Sequence, residues 1–299
     1  MKKELIMKYM AVIDEIADNN NYDNNIRHLL YLIIPAFITK YTYKDKLIID
    51  VFKNTPIIIK NEDTKYVNAF YTSIPKFDGD KIVTTKYVVI NNYRDNSLIR
   101  LLDSLVHEYN HAVNSYLKEI VVKDNIVYIR TGLTYITYDK NSLKSIDKLP
   151  SYILEEVINT RQTEDIIDII KNYKDNDIES INNTIYAINI ETNDNYESKA
   201  YYLETRILMK LLTNSTFIYT LENLRMEGNI DDIEKWFNDI TGIKNSYNDL
   251  IVYLNRIIEL EYKVSEIKHF KSFTINKIKS LIDKVNYIID TFNKNCNFR

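Results

Sequence analysis

Cysteine is almost missing from this chain: Cys296 is the only one in 299 residues. That excludes a disulfide within the chain and any metal site built from clustered thiolates. Glycine and proline are nearly as scarce, with four of each. So few breakers predict long regular elements, mainly helices, and few tight turns. No long apolar run occurs, so no membrane-spanning helix is expected. The N-terminal stretch places Glu4, Lys8 and Asp14 among its apolar residues. A signal peptide needs an unbroken apolar segment, so a cytoplasmic protein is predicted. Lysine and arginine number 39 against 42 acidic residues, and no basic block stands out. Nucleic acid is therefore not an expected partner.

What is present is enough apolar material, 45% of residues, to bury one large core or two. Ile, Lys, Asn and Tyr are abundant in the manner of an AT-rich gene. With 25 tyrosines, no tyrosine earns a role through abundance.

Helices are predicted over 3–18 and 24–40, with Pro35 a point where the second would kink or end. Short β-rich runs follow at 56–59, 66–71 and 85–90, with Asp78-Gly79-Asp80 as a turn before the last. A helix from about Leu98 to Leu117 has Asp95, Asn96 or Ser97 as its cap. Residues 120–138 look like a hairpin, and a further helix runs from Pro150 to about Tyr173. The stretch 174–199 is rich in Asn, Asp and Glu and reads as a loop with short elements. From about Ala200 the chain reads as helices separated near Asn214, Gly228 and Gly242. The expected class is α+β: a small mixed sheet with a site-bearing helix, then mostly helices. A division into an α+β lobe, 1–150, and a helical lobe, 151–299, is expected.

The chemistry lies in His107-Glu108-Tyr109-Asn110-His111. On a helix, histidines four apart face the same way, one turn apart, and neutral imidazole binds zinc well. Glu108 stands beside them, placed to take a proton from a metal-bound water and return it to a leaving group. With four histidines in the chain, this pattern would arise by accident in roughly one such chain in several hundred. Leu98, Leu101, Leu102, Leu105, Tyr109, Ala112, Val113 and Tyr116 form an apolar stripe on the opposite face. The plainer reading is two surface histidines on an amphipathic helix, against which the preceding strands and helix weigh; a second is a metal site without catalysis, and Glu108 argues against it because a purely structural zinc needs no base.

A third protein ligand must come from elsewhere. His28 and His269 lie in settings that suggest capping or surface positions. Glu155 and Glu156, at the start of the helix after Pro150, are better placed. Their bland explanation is that carboxylates favour the positive end of a helix. Glu156 is preferred, and Glu164 is its main rival.

At this point the residues resemble the gluzincins, the thermolysin-like zinc peptidases. His107 to Tyr116 is similar to that family's HExxHAVxxY helix. Asn68-Ala69-Phe70-Tyr71 looks like its substrate-binding edge strand, and Glu156-Val157-Ile158 resembles its ligand helix. The resemblance implies a zincin-like fold. It also implies one zinc ion held by His107, His111 and Glu156, with Glu108 as general base and acid. Asn68 and Ala69 would pair with the backbone of a peptide or protein substrate. Thr160 replaces the family's Asp one turn after the ligand, and the family's downstream histidine has no counterpart. Tyr152, Tyr135 or Tyr138 would then steady the oxyanion, and Tyr152 is the choice among them. The expected activity is peptide hydrolysis. The rival expectations are a zinc-containing binding or regulatory protein, and a helical interaction protein in which the motif is incidental.

Overall fold

The computed structural model describes residues 3–60, 69–91, 97–148, 152–173, 182–188, 202–266 and 272–296. The fold is mixed α+β, as expected, with a mostly helical C-terminal half. Among the described residues no helix is long and apolar enough to cross a membrane.

The chain forms two compact units, each assembled from two separate segments. The first comprises Met1–Tyr116 and Asn159–Ser198, the second Leu117–Ile158 and Lys199–Arg299. This division differs from the single boundary expected near residue 150: the 120–138 strands group with the C-terminal helices.

The first unit opens with α1 (Lys3–Asn19), α2 (Asn24–Lys40) and α3 (Asp45–Asn54). Asp23 caps α2 by accepting the Ile26 amide at 2.9 Å. Pro35 neither ends nor breaks α2, which continues to Lys40 around a fully buried apolar run. The α3 helix was not predicted. Its Ile48, Val51 and Phe52, at helical spacing, are all buried. Next come β1 (Ile57–Lys60), β2 (Ala69–Asp78) and β3 (Lys81–Asn91), in sheet order β1-β3-β2. β1 runs parallel to β3, and β2 runs antiparallel to it through a tight turn at Gly79-Asp80.

β2 is an edge strand and is longer than the 66–71 run expected, of which residues 66–68 lie outside the described residues. Its extra length passes through Pro75. The Val88 amide bonds to the Pro56 carbonyl on the β1 side, so its partner Tyr71 turns its own amide away from β3. By alternation Pro75 also faces outward, where the missing N–H costs no ladder bond.

The helix α4 (Leu98–Ser115) follows, then β4 (Ile120–Lys123), β5 (Ile126–Thr131), β6 (Thr134–Asp139) and β7 (Ser145–Lys148). These four strands form an antiparallel sheet in sequence order within the second unit. α5 (Tyr152–Lys171) is one uninterrupted helix, and the division between units falls inside it, between Ile158 and Asn159. A short helix α6 spans 182–188. The second unit is completed by α7 (Tyr202–Leu212), α8 (Ser215–Glu227), α9 (Ile230–Thr241), α10 (Ser246–Glu266) and α11 (Ser272–Cys296). Their breaks fall at Asn214, Gly228 and Gly242, as expected. The core of this unit gathers Phe217, Phe237 and Phe292 with leucines and isoleucines from α5 and α7 to α11. Trp236 packs against that cluster, with its ring centroid 5.4 Å from that of Phe292.

Candidate metal centre

The site is built on α4. Ser97 caps it, accepting the Arg100 amide at 3.4 Å. Leu101, Leu102, Leu105, Tyr109, Ala112 and Val113 of the apolar stripe are buried, and burial of each leucine is worth about 1.5–3 kcal/mol. Tyr109 anchors the helix from behind. Its ring stacks on Phe52 of α3 at a centroid distance of 3.9 Å. Its hydroxyl donates to the Thr55 carbonyl at 3.0 Å. Burial holds that hydroxyl well above the usual phenol range, so it stays a donor.

On the other face the His107 and His111 rings stand 5.0 Å apart at 78°. His111 is buried and His107 half-buried. Glu156 of α5 completes the group: one ligand atom from each of the three lies within 4.8 Å of the others. An ion with bonds of about 2.0–2.2 Å would bring such atoms to about 3.4 Å apart. Two imidazoles and one carboxylate suit zinc and leave a fourth position for water or substrate.

The structure separates the three glutamates that the sequence left in competition. The Glu155 carboxylate is engaged within the second unit. There it accepts the Leu133 amide at 2.7 Å and the Arg225 guanidinium through Nε at 2.8 Å and through Nη2. Both partners of that ion pair are fully buried. Glu164 is exposed and pairs with Arg161 at 3.1 Å. Glu156 alone joins the histidines.

Glu108 is buried, and the Tyr71 amide donates to its Oε2 at 2.6 Å. The proposed base is therefore held by the backbone of edge strand β2, whose outward-facing groups include those of Ala69 by alternation. Asn68 lies outside the described residues. Tyr152 is the first residue of α5, one turn before Glu156, and is 40% exposed. Tyr135 and Tyr138 lie on β6, where burial raises both phenols above their ordinary value. His28 sits within α2, its ring stacked on Tyr31. His269 lies outside the described residues.

Sequence reasoning missed the polar network behind the ligands. Asn110 accepts from the Tyr41 hydroxyl at 2.6 Å and from Asn114 Nδ2 at 3.0 Å. Its own Nδ2 donates to Asn159 at 2.8 Å and Gln162 at 3.0 Å. Asn159 Nδ2 in turn donates to the His107 carbonyl at 2.9 Å. The available signal was an asparagine between the two histidines and another three residues after Glu156. In a chain this rich in asparagine neither was distinctive. Thr160, in the place of the resembled family's Asp, is buried, and its hydroxyl has no hydrogen-bond partner among the described residues.

No protein-family model, curated protein or solved structure matches the chain.

Proposed function

We propose that this protein is a zinc-dependent hydrolase of gluzincin-like type, a metallopeptidase acting on a peptide or protein in the cytoplasm. The observation that carries the reading is the grouping of His107, His111 and Glu156 with Glu108 beside them in the chain. A zinc ion held there would lower the pKa of a coordinated water and polarise a carbonyl. Glu108 accepts the proton of the attacking water and passes it to the leaving amine. The Tyr71 amide restrains the carboxylate for that work. An extended substrate would lie along β2, pairing with Asn68 and Ala69, and Tyr152 would donate to the developing oxyanion.

Metal analysis and a peptide-library cleavage assay test this together. The native protein should carry one zinc per chain and cut peptides. Glu108→Gln should keep the metal and lose cleavage. Full activity in that variant refutes the assignment of the base.

One observation favours a second reading, a zinc-containing binding or regulatory protein. Glu108, His111 and Glu156 are each less than a tenth exposed, which suits a closed site. Stoichiometric zinc without cleavage of any peptide would select it.

A further inference from the structure

We infer that Asn110 and Asn159 form an amide lock that positions Glu156 as the third metal ligand. The inference rests on the metal-site reading above. A helix that contributes one ligand must be held in both rotation and axial register against the helix that contributes two. Ridge-into-groove packing of apolar side chains leaves the crossing angle scattered by about 15–20°. Directional hydrogen bonds fix it tightly.

The residues on the page meet that need. Asn110 occupies the helix turn between His107 and His111. An amide side chain offers two donors and one oxygen with two lone pairs. Asn110 uses all four: Tyr41 and Asn114 donate to its oxygen, while Asn159 and Gln162 receive its hydrogens. This pattern also fixes which end of the amide is nitrogen. Asn159 and Gln162 are three residues apart on α5 and so share a face. Asn159 reaches further, to the carbonyl of His107, which is itself a ligand residue. That carbonyl, like any within a helix, serves the amide four residues on and still has a lone pair for Asn159. Glu156 lies three residues before Asn159 on the same uninterrupted helix. The grip of Asn159 on His107 therefore sets the rotation and height of Glu156 relative to α4. Asn110 and Asn159 are positioning residues: they act through Glu156 and the histidines. Thr160, whose buried hydroxyl has no partner among the described residues, takes no part in the lock.

A thermodynamic cycle on zinc affinity tests this, using competition with a chromophoric chelator. The full-length native protein, Asn159→Ala, Glu156→Ala and the double variant are compared. Asn159→Ala should weaken zinc binding about tenfold or more. In the Glu156→Ala background the same change should weaken it less than about twofold, because the ligand being positioned is gone. The visible spectrum of bound Co2+ in Asn159→Ala should move toward that of Glu156→Ala. Equal weakening in both backgrounds, or none in the native background, overturns the lock and leaves the metal site standing. A native chain that binds no zinc overturns both. Should Asn159→Ala not fold, Asn159→Leu serves: it keeps the side chain's volume and removes its bonds to Asn110 and to the His107 carbonyl without adding a charge.

Discussion

Replacing Gly132 with alanine would be disproportionately destructive for a single methyl group. Gly132 joins β5 to β6 with φ +57°, a conformation that costs an L-residue about 1–2 kcal/mol. A Cβ there would also overlap the carboxylate of Glu155. That carboxylate holds the Leu133 amide and the buried Arg225 guanidinium. Driving it off leaves a buried charge uncompensated, at about 3–5 kcal/mol. The two costs together reach about 4–7 kcal/mol, against a total stability for a typical domain of about 5–15 kcal/mol. Trp236 is the only tryptophan of the chain and packs against the core of the second unit. Its fluorescence during urea denaturation therefore reports that unit alone. The decisive comparison repeats Gly132→Ala in a Glu155→Ala/Arg225→Met background, where the carboxylate and its partner charge are removed together. Only the backbone cost of about 1–2 kcal/mol should remain. An equal loss in both backgrounds, or a native-background loss below about 2 kcal/mol, would refute the reasoning.

The choice among glutamates gives a second expectation: Glu156→Ala should weaken zinc binding by about 10-fold or more, while Glu164→Ala should leave it unchanged in the same titration. A further one concerns alkaline pH. Burial pushes the Tyr22 hydroxyl up to about 12, where it accepts the Ile57 amide at 2.6 Å. Because burial, and not the bond from Ile57, raises the folded-state pKa above the unfolded value near 10, the stability that depends on a protonated Tyr22 is complete below pH 10. It is lost as pH rises through about 12, by about 2–3 kcal/mol. Denaturation followed by circular dichroism at pH 9 and 11.5 should show a steeper alkaline loss in the native protein than in Tyr22→Phe. Parallel losses would remove Tyr22 from the explanation.

Much of α4 was legible because its period, cap and motif agreed: the same residues that make it amphipathic leave His107 and His111 on the other face. The helix breaks at Asn214, Gly228 and Gly242 were legible for the same reason, since scarce breakers mark boundaries clearly. β2 continues through Pro75 to Asp78, and only the sheet order shows that proline to hold an edge position where it is tolerated. α3 is hard to read because its apolar residues crowd into the short run Leu47–Phe52, which fits a buried strand as well as a helix. Glu156 is preferred from the sequence, but what occupies Glu155 is not legible there, because its partner Arg225 lies 70 residues away in sequence. No local pattern encodes it. The hold of Tyr71 on Glu108 is made by a backbone amide and has no side-chain signature.

The interleaving of the two units bears on the order in which the chain can fold as it is made. Each unit is assembled from two segments that are separated in the sequence, so neither is complete when its first segment has been synthesised. Glu155 waits for Arg225. At about 5–20 residues per second, translation delivers that partner roughly 4–14 s later. Through that interval the first turns of α5, with Glu156 among them, lack the core of the second unit that buries Val157 and Ile158. The two histidines are thus made early and the carboxylate is secured late. If the site binds an ion as proposed, an ion captured on the nascent chain would meet Glu156 on a helix whose apolar base is still uncovered, and the C-terminal helices would complete that packing afterwards.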